Sequence, residues 1–231
     1  MHPSPRSNRP TPSALPTLLK VCVFAALLLG IWTATRTHAA PRAVVKPPAL
    51  PAPGTYKVDP DHSFVYFSAW HHVVGVVRGR FDKVTGTITA ANDPADCAVD
   101  IVIHTATIST QNTERDDDLR SPDFFDVKKF PTATYQGHGL RRSGDHWIMD
   151  GTLTIRGVSK PVPLTFTFKG FFPDTPAGKP PRASFHGMAE TRRGDYGMTR
   201  DNLMELGQPP APGADVQLQI DVEADQTQPP R

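Results

Sequence analysis

The residues best equipped for chemistry lie between His104 and Pro131. Within that stretch, residues 113–121 read TERDDDLRS and set Arg115 among four carboxylates, Glu114, Asp116, Asp117 and Asp118. Neighbouring carboxylates can share a proton, and a guanidinium fork suits a phosphate. The run also has a plainer use. Acids in the first turns of a helix meet the positive end of its dipole, and a block of charge on a short helix is usually a solvated face. Histidine is the other candidate: His62, His71, His72, His104, His138, His146 and His186 lie beyond residue 39. No pair has the helical His-x-x-x-His spacing of a zinc protease. His71 and His72 are neighbours on an extended run and point to opposite faces. Cys97, alone beyond residue 39, makes neither a disulfide nor a metal site by itself and reads as a small residue partly buried near a turn. A Gly-x-Ser-x-Gly elbow and a phosphate-binding glycine loop are both absent from the sequence. No catalytic residue, metal or cofactor is expected.

The elements that must position these groups are almost all strands. Residues 56–58 and 62–71, broken by Asp59-Pro60-Asp61, form the first alternating run. Further runs cover 78–90, 98–107, 132–141, 147–155, 160–171, 182–191 and 215–224. Glycines 79 and 86 mark bends or bulges. About eight strands in one antiparallel sheet favour closure into a barrel. One short helix sits between strands three and four. Thr113 with Asp116 resembles a capping box at its start, and Pro122 stops it. Leu119, Phe124 and Phe125 are its apolar anchors, so the segment reads as a lid or plug on the barrel.

The ends of the chain read differently. Arg6, Arg9 and Lys20 precede the apolar run VCVFAALLLGIW, and small residues follow near Ala39-Ala40. That order describes a signal peptide over residues 1–39, or an uncleaved N-terminal anchor; the run is short for a membrane span. A periplasmic location is the expectation. Loss of Arg6, Arg9, Lys20 and Arg36 leaves 21 basic residues against 23 acidic, a net of −2. No nucleic-acid partner is therefore expected. Residues 40–54 are a Pro- and Ala-rich linker, 55–225 the folded domain, and 226–231 a disordered tail.

Four motifs in order carry a family resemblance. They are YKVDPDHSFVYFSAWH (56–71), GRFDKVTGTI (79–88), TERDDDLRSPDFFDVKKFPTATY (113–135) and LTIRGVSKPVPL (153–164). Together they make the chain from Tyr56 to Ala224 resemble the YceI-like family. That resemblance implies an all-β, lipocalin-like antiparallel barrel of about eight strands that binds a polyisoprenoid lipid. Two places depart from the family pattern. Asp118 stands where the family often has His, and HVVGVV (72–77) replaces the usual H-L-G-x-S-x-V. Both touch the lid.

Strand faces that can line such an interior carry Phe67, Ala69, His71, Phe81, Ile101, Ile103, Phe166, Phe168 and Phe185, with Leu119 and Phe125 above them. Asn112, Arg115 and Asp116 are candidates for the polar head of an amphiphile: Arg for a phosphate, Asn or His for a quinone carbonyl. The expected partner is an isoprenoid lipid or quinone; transient membrane contact for loading and a homodimer are both compatible with the sequence, which does not fix the oligomeric state. Two other readings stand beside this one. One is a barrel enzyme using His71, His104 and Arg115 on a small or lipid-like substrate. The other is a fully packed structural or stress-related protein.

Overall fold

A computed structural model describes residues 49–71, 75–173, 179–198 and 216–228. The expected signal peptide, and the linker as far as residue 48, lie outside them. Eleven strand segments form one antiparallel sheet. They are β1 (Gly54–Val58), β2 (Phe64–His71), β3 (Gly75–Phe81), β4 (Val84–Ala90), β5 (Ala98–His104) and β6 (Ile108–Ser109). After α1 (Thr113–Arg120) come β7 (Thr132–Ser143), β8 (His146–Ile155), β9 (Val158–Phe172), β10 (Arg182–Thr191) and β11 (Val216–Gln228).

These segments are eight strands, three of them broken once. β1 and β2 run along the same neighbour, β11, and are separated by the turn at residues 59–63. β3 and β4 pair with β2 and β1, and β5 and β6 pair with β4 and β3. From β5 the ladder continues through β7, β8, β9 and β10 to β11, and the β1–β11 pairing closes the ring. The lipocalin-like barrel is thus the observed fold. Its strands form because their side chains alternate. In β11, Val222 and Ala224 are buried while Gln217 and Gln219 are exposed, the pattern of a sheet with one face in a core.

The break between β1 and β2 keeps its hydrogen bonds by substitution. Buried Ser63 donates through Oγ to the Glu223 carbonyl and accepts from the Glu223 N–H, both at 3.1 Å. Asp59 N–H donates to the same carbonyl at 2.9 Å. The turn is tied across the seam by Arg182, which donates to Asp59 (2.6 Å), Glu223 (2.8 Å) and Asp225 (2.7 Å). Gly151 serves a close approach: a Cβ there would lie 2.3 Å from the Tyr135 hydroxyl. That hydroxyl, buried inside the barrel, donates to the Val162 carbonyl at 3.0 Å.

Two boundaries differ from the sequence expectation. β11 continues through Gln226 and Thr227 to Gln228, which pairs with Thr55, so residues 226–228 are strand and not tail. Residues 49–53 are packed against the barrel (Trp147 and Tyr56 hold their carbonyls) instead of forming an extended spacer.

The Asp59 turn gives a pH prediction. Burial pushes its carboxyl up, but hydrogen bonds from Asp61 N–H and His62, with the field of Arg182, outweigh burial and hold it below the usual carboxylate value. A depressed carboxylate contributes stability in full above its unfolded value and loses it as pH falls through the folded one. Asp59→Asn should cost about 2 kcal/mol at pH 7, and should flatten the fall in urea-unfolding free energy between about pH 5 and pH 3. Parallel pH curves for the two proteins would contradict the assignment.

Candidate functional site

Among the described residues, two cavities in the barrel stand out, one toward each end. The larger, about 290 Å³, lies under α1. The helix begins at Asn112, whose side chain accepts from the Arg115 N–H at 2.9 Å; the cap is therefore Asn112, and Thr113 is the first helical residue. Four tethers hold the helix and the turns after it. Arg120 donates to the carbonyls of Ala106 (3.0 Å) and Ile108 (2.7 Å). Asp116, itself buried, accepts from Thr110 N–H at 2.8 Å and from its hydroxyl at 2.6 Å. Arg156 donates to the carbonyls of Pro122 and Phe124. Thr105 donates to the Phe130 carbonyl at 2.8 Å. Phe125 then meets Phe81 edge-on, with centroids 5.4 Å apart, so the cover grips the interior through aromatic contact.

This cavity has a polar and an apolar lining. Its polar lining is Arg115, Asp118, Thr191 and Arg193, all half-buried, with Tyr196 fully buried beside them. Its apolar walls are buried Val65, Phe81, Ile103 and Leu153, with half-buried Phe67 and Leu218. Arg115 spends Nε on the Thr110 hydroxyl (2.7 Å) and Nη2 on the Thr110 carbonyl (3.1 Å). A guanidinium has five N–H donors, so this fixed fork retains donors for a ligand. The second cavity, about 80 Å³, lies at the other end and is almost wholly apolar. Buried Cys97 is on its wall, and burial pushes that thiol's pKa up, which makes it a poor nucleophile.

The candidate residues fall into distinct places. Phe67, Ala69, Phe81, Ile103, Arg115, Leu119 and Phe125 line the larger cavity. Ile101, Phe166 and Phe185 line the smaller. Phe168 packs on Phe185 with centroids 5.7 Å apart and lines neither. Asn112 is used by the helix cap and Asp116 by Thr110, and both are absent from the cavity walls. The His71 side chain is outside the described residues. His104 lines neither cavity, and its strand is paired with β4 and β7, not with β2. Among the described residues no group of three or more His, Cys, Asp or Glu is placed to hold a metal. Arg193 and Tyr196 were not foreseeable from periodicity. They sit on a 3-10 turn, Arg193–Tyr196, in a stretch with no alternation. The one available signal was a lone aromatic among polar residues.

A closed eight-stranded barrel with an apolar interior and a helical cover at one mouth defines the lipocalin-like class. Comparison with known proteins narrows it. The YceI-like domain matches residues 56–224, and the chain belongs to the YceI-like family. It is 36% identical over 149 residues to Protein YceI of Salmonella newport, covering 63% of this chain and 77% of that protein. The crystal structure of Campylobacter jejuni YceI protein superposes with a TM-score of 0.56 at 28% identity, over 68% of this chain and 90% of that one. Two more distant structures share the fold alone. Burkholderia cenocepacia BcnA has a TM-score of 0.57 at 20% identity, over 74% and 99% of the chains. A polyisoprenoid binding domain from Saccharophagus degradans has 0.55 at 16%, over 74% and 98%.

Asp116 is a buried tether between buried groups. Asp116→Ala strands the buried Thr110 N–H and should cost about 2 kcal/mol, measured by urea unfolding. Amide exchange across residues 108–125 should accelerate as well. An unchanged exchange rate there would mean that Asp116 does not hold the cover.

Proposed function

We propose that this protein holds or carries a polyisoprenoid amphiphile, a polyprenyl phosphate or an isoprenoid quinone, in the larger cavity. The observation that carries this reading is a cavity lined by cationic and apolar side chains together. An amphiphile needs both ends. Its head takes the remaining donors of Arg115, with Arg193 nearby, and Asp118 tunes that charge. Its tail leaves water for the walls formed by Phe67, Phe81, Ile103, Leu153 and Leu218. At about 0.8 kcal/mol per buried carbon group, each five-carbon unit contributes about 4 kcal/mol before the costs of association. Membership of the YceI-like family supports the ligand class, as does the likeness in fold to the Saccharophagus degradans polyisoprenoid binding domain. Binding rather than catalysis fits the histidines, since His104 lines neither cavity. In this reading the barrel works in the periplasm after export and loads by brief contact with a membrane.

Organic extraction of the purified protein, followed by mass spectrometry, tests the ligand class. A prenyl lipid should co-purify or bind when added; a protein that does neither contradicts the proposal. Arg115→Ala should weaken a prenyl phosphate at least tenfold and leave the matching prenyl alcohol within about twofold. Equal losses for both would remove Arg115 from the head-group role.

A further inference from the structure

We propose, resting on the lipid-binding reading above, that residues 49–53 are a chain-length stop. Leu50 and Pro51 close the end of the barrel opposite α1 and limit the buried tail to about three isoprene units.

The segment is built to lie across an opening. It reads ALPAP, and its two prolines have no N–H to donate, so it does not add to a ladder. Its carbonyls are taken by side chains from three different strands. Trp147 Nε1 of β8 donates to Ala49 at 3.4 Å, the Tyr56 hydroxyl of β1 to Ala52 at 2.5 Å, and Gln226 Nε2 of β11 to Pro53 at 3.2 Å. Tyr56 is fully buried and Pro51 is buried as well. Leu50 and Pro51 thereby form part of the wall of the smaller cavity, across from Val99, Met149 and Phe185.

The two cavities are consecutive along the barrel. On β5 the larger is lined by Ile103 and the smaller by Ile101; on β11 the corresponding pair is Leu218 and Ile220. One inward step along each strand, about 7 Å, separates them. A tail that has filled the larger chamber meets the smaller one next, and then Leu50 and Pro51.

Capacity follows from volume. An apolar cavity of about 150 Å³ holds one benzene ring, six carbons. At that density the chambers of 290 and 80 Å³ hold about twelve and about three carbons. Their sum is a farnesyl tail. A longer chain fits only if residues 49–53 withdraw.

The test is a binding series of geranyl, farnesyl, geranylgeranyl and undecaprenyl phosphates against the purified protein. Affinity should rise at least tenfold from geranyl to farnesyl and less than twofold beyond. The double variant Leu50→Gly/Pro51→Gly, checked for a cooperative melt, should extend the rise to geranylgeranyl by at least fivefold. Leu50→Trp should move the break down to geranyl, and it decides the matter if the double variant does not fold. A break at farnesyl in every variant, or no break in the unaltered protein, overturns the stop. Failure of every prenyl phosphate, and of isoprenoid quinones carrying the same tails, to bind the unaltered protein overturns the lipid-binding reading instead.

Discussion

The fold depends on how one seam is closed. β11 must pair with β1 at one end and β2 at the other, while the chain between them turns through Asp59-Pro60-Asp61. At that point the Glu223 N–H would lose its partner and its carbonyl would keep only the Asp59 N–H, on a strand whose backbone groups need partners. The Ser63 hydroxyl takes both, and Arg182 draws Asp59, Glu223 and Asp225 together over it. Closure has a functional consequence. A ring of fixed strand number encloses an interior of fixed width, so bulky residues at some inward positions and small ones at others decide where space remains.

That space is divided and graded. The helical cover is not a loose flap: Arg120, Asp116, Arg156 and Thr105 tie it down from both sides. Its acidic run, which looked suited to proton chemistry, is spent on such ties and on the helix end. Asp117 pairs with Arg120 at 3.1 Å, and Asp116 serves Thr110. What the cover offers the interior is apolar contact from Leu119, Phe124 and Phe125, and charge from Arg115 and Asp118. At the far end residues 49–53 do the opposite work and present only an apolar surface. Charged side chains thus line the larger cavity, while the smaller one is almost wholly apolar.

Much of the fold was legible in the sequence because a strand with one buried face alternates with period two. The eight strands, the break at Asp59 and the helix ended by Pro122 were legible, but residues 78–90 read as one run and the break between β3 and β4 at residues 82–83 was not. The cap was misplaced by one residue because Asn112 and Thr113 are both good cap formers; only geometry shows which side chain reaches the Arg115 N–H. β11 was cut short at Ala224 because Gln226, Thr227 and Gln228 carry no apolar alternation. The interior was partly legible. Alternation says which residues point inward but not how deep each lies, so residues of two separate chambers, such as Ile103 and Ile101, looked alike. Phe168 looked like a wall residue for the same reason. Residues 49–53, Arg193 and Tyr196 left no periodic signal, since they are positioned by tertiary contacts with β1, β8, β10 and β11.

The central claim is that the larger cavity receives an amphiphile head-up under α1. A crystal structure of protein purified without detergent tests it most directly. The account predicts elongated electron density that begins within hydrogen-bond reach of Arg115 and runs down past Phe67 and Ile103 toward Leu218. A cavity closed by collapsed side chains, or one holding only ordered water, would contradict it.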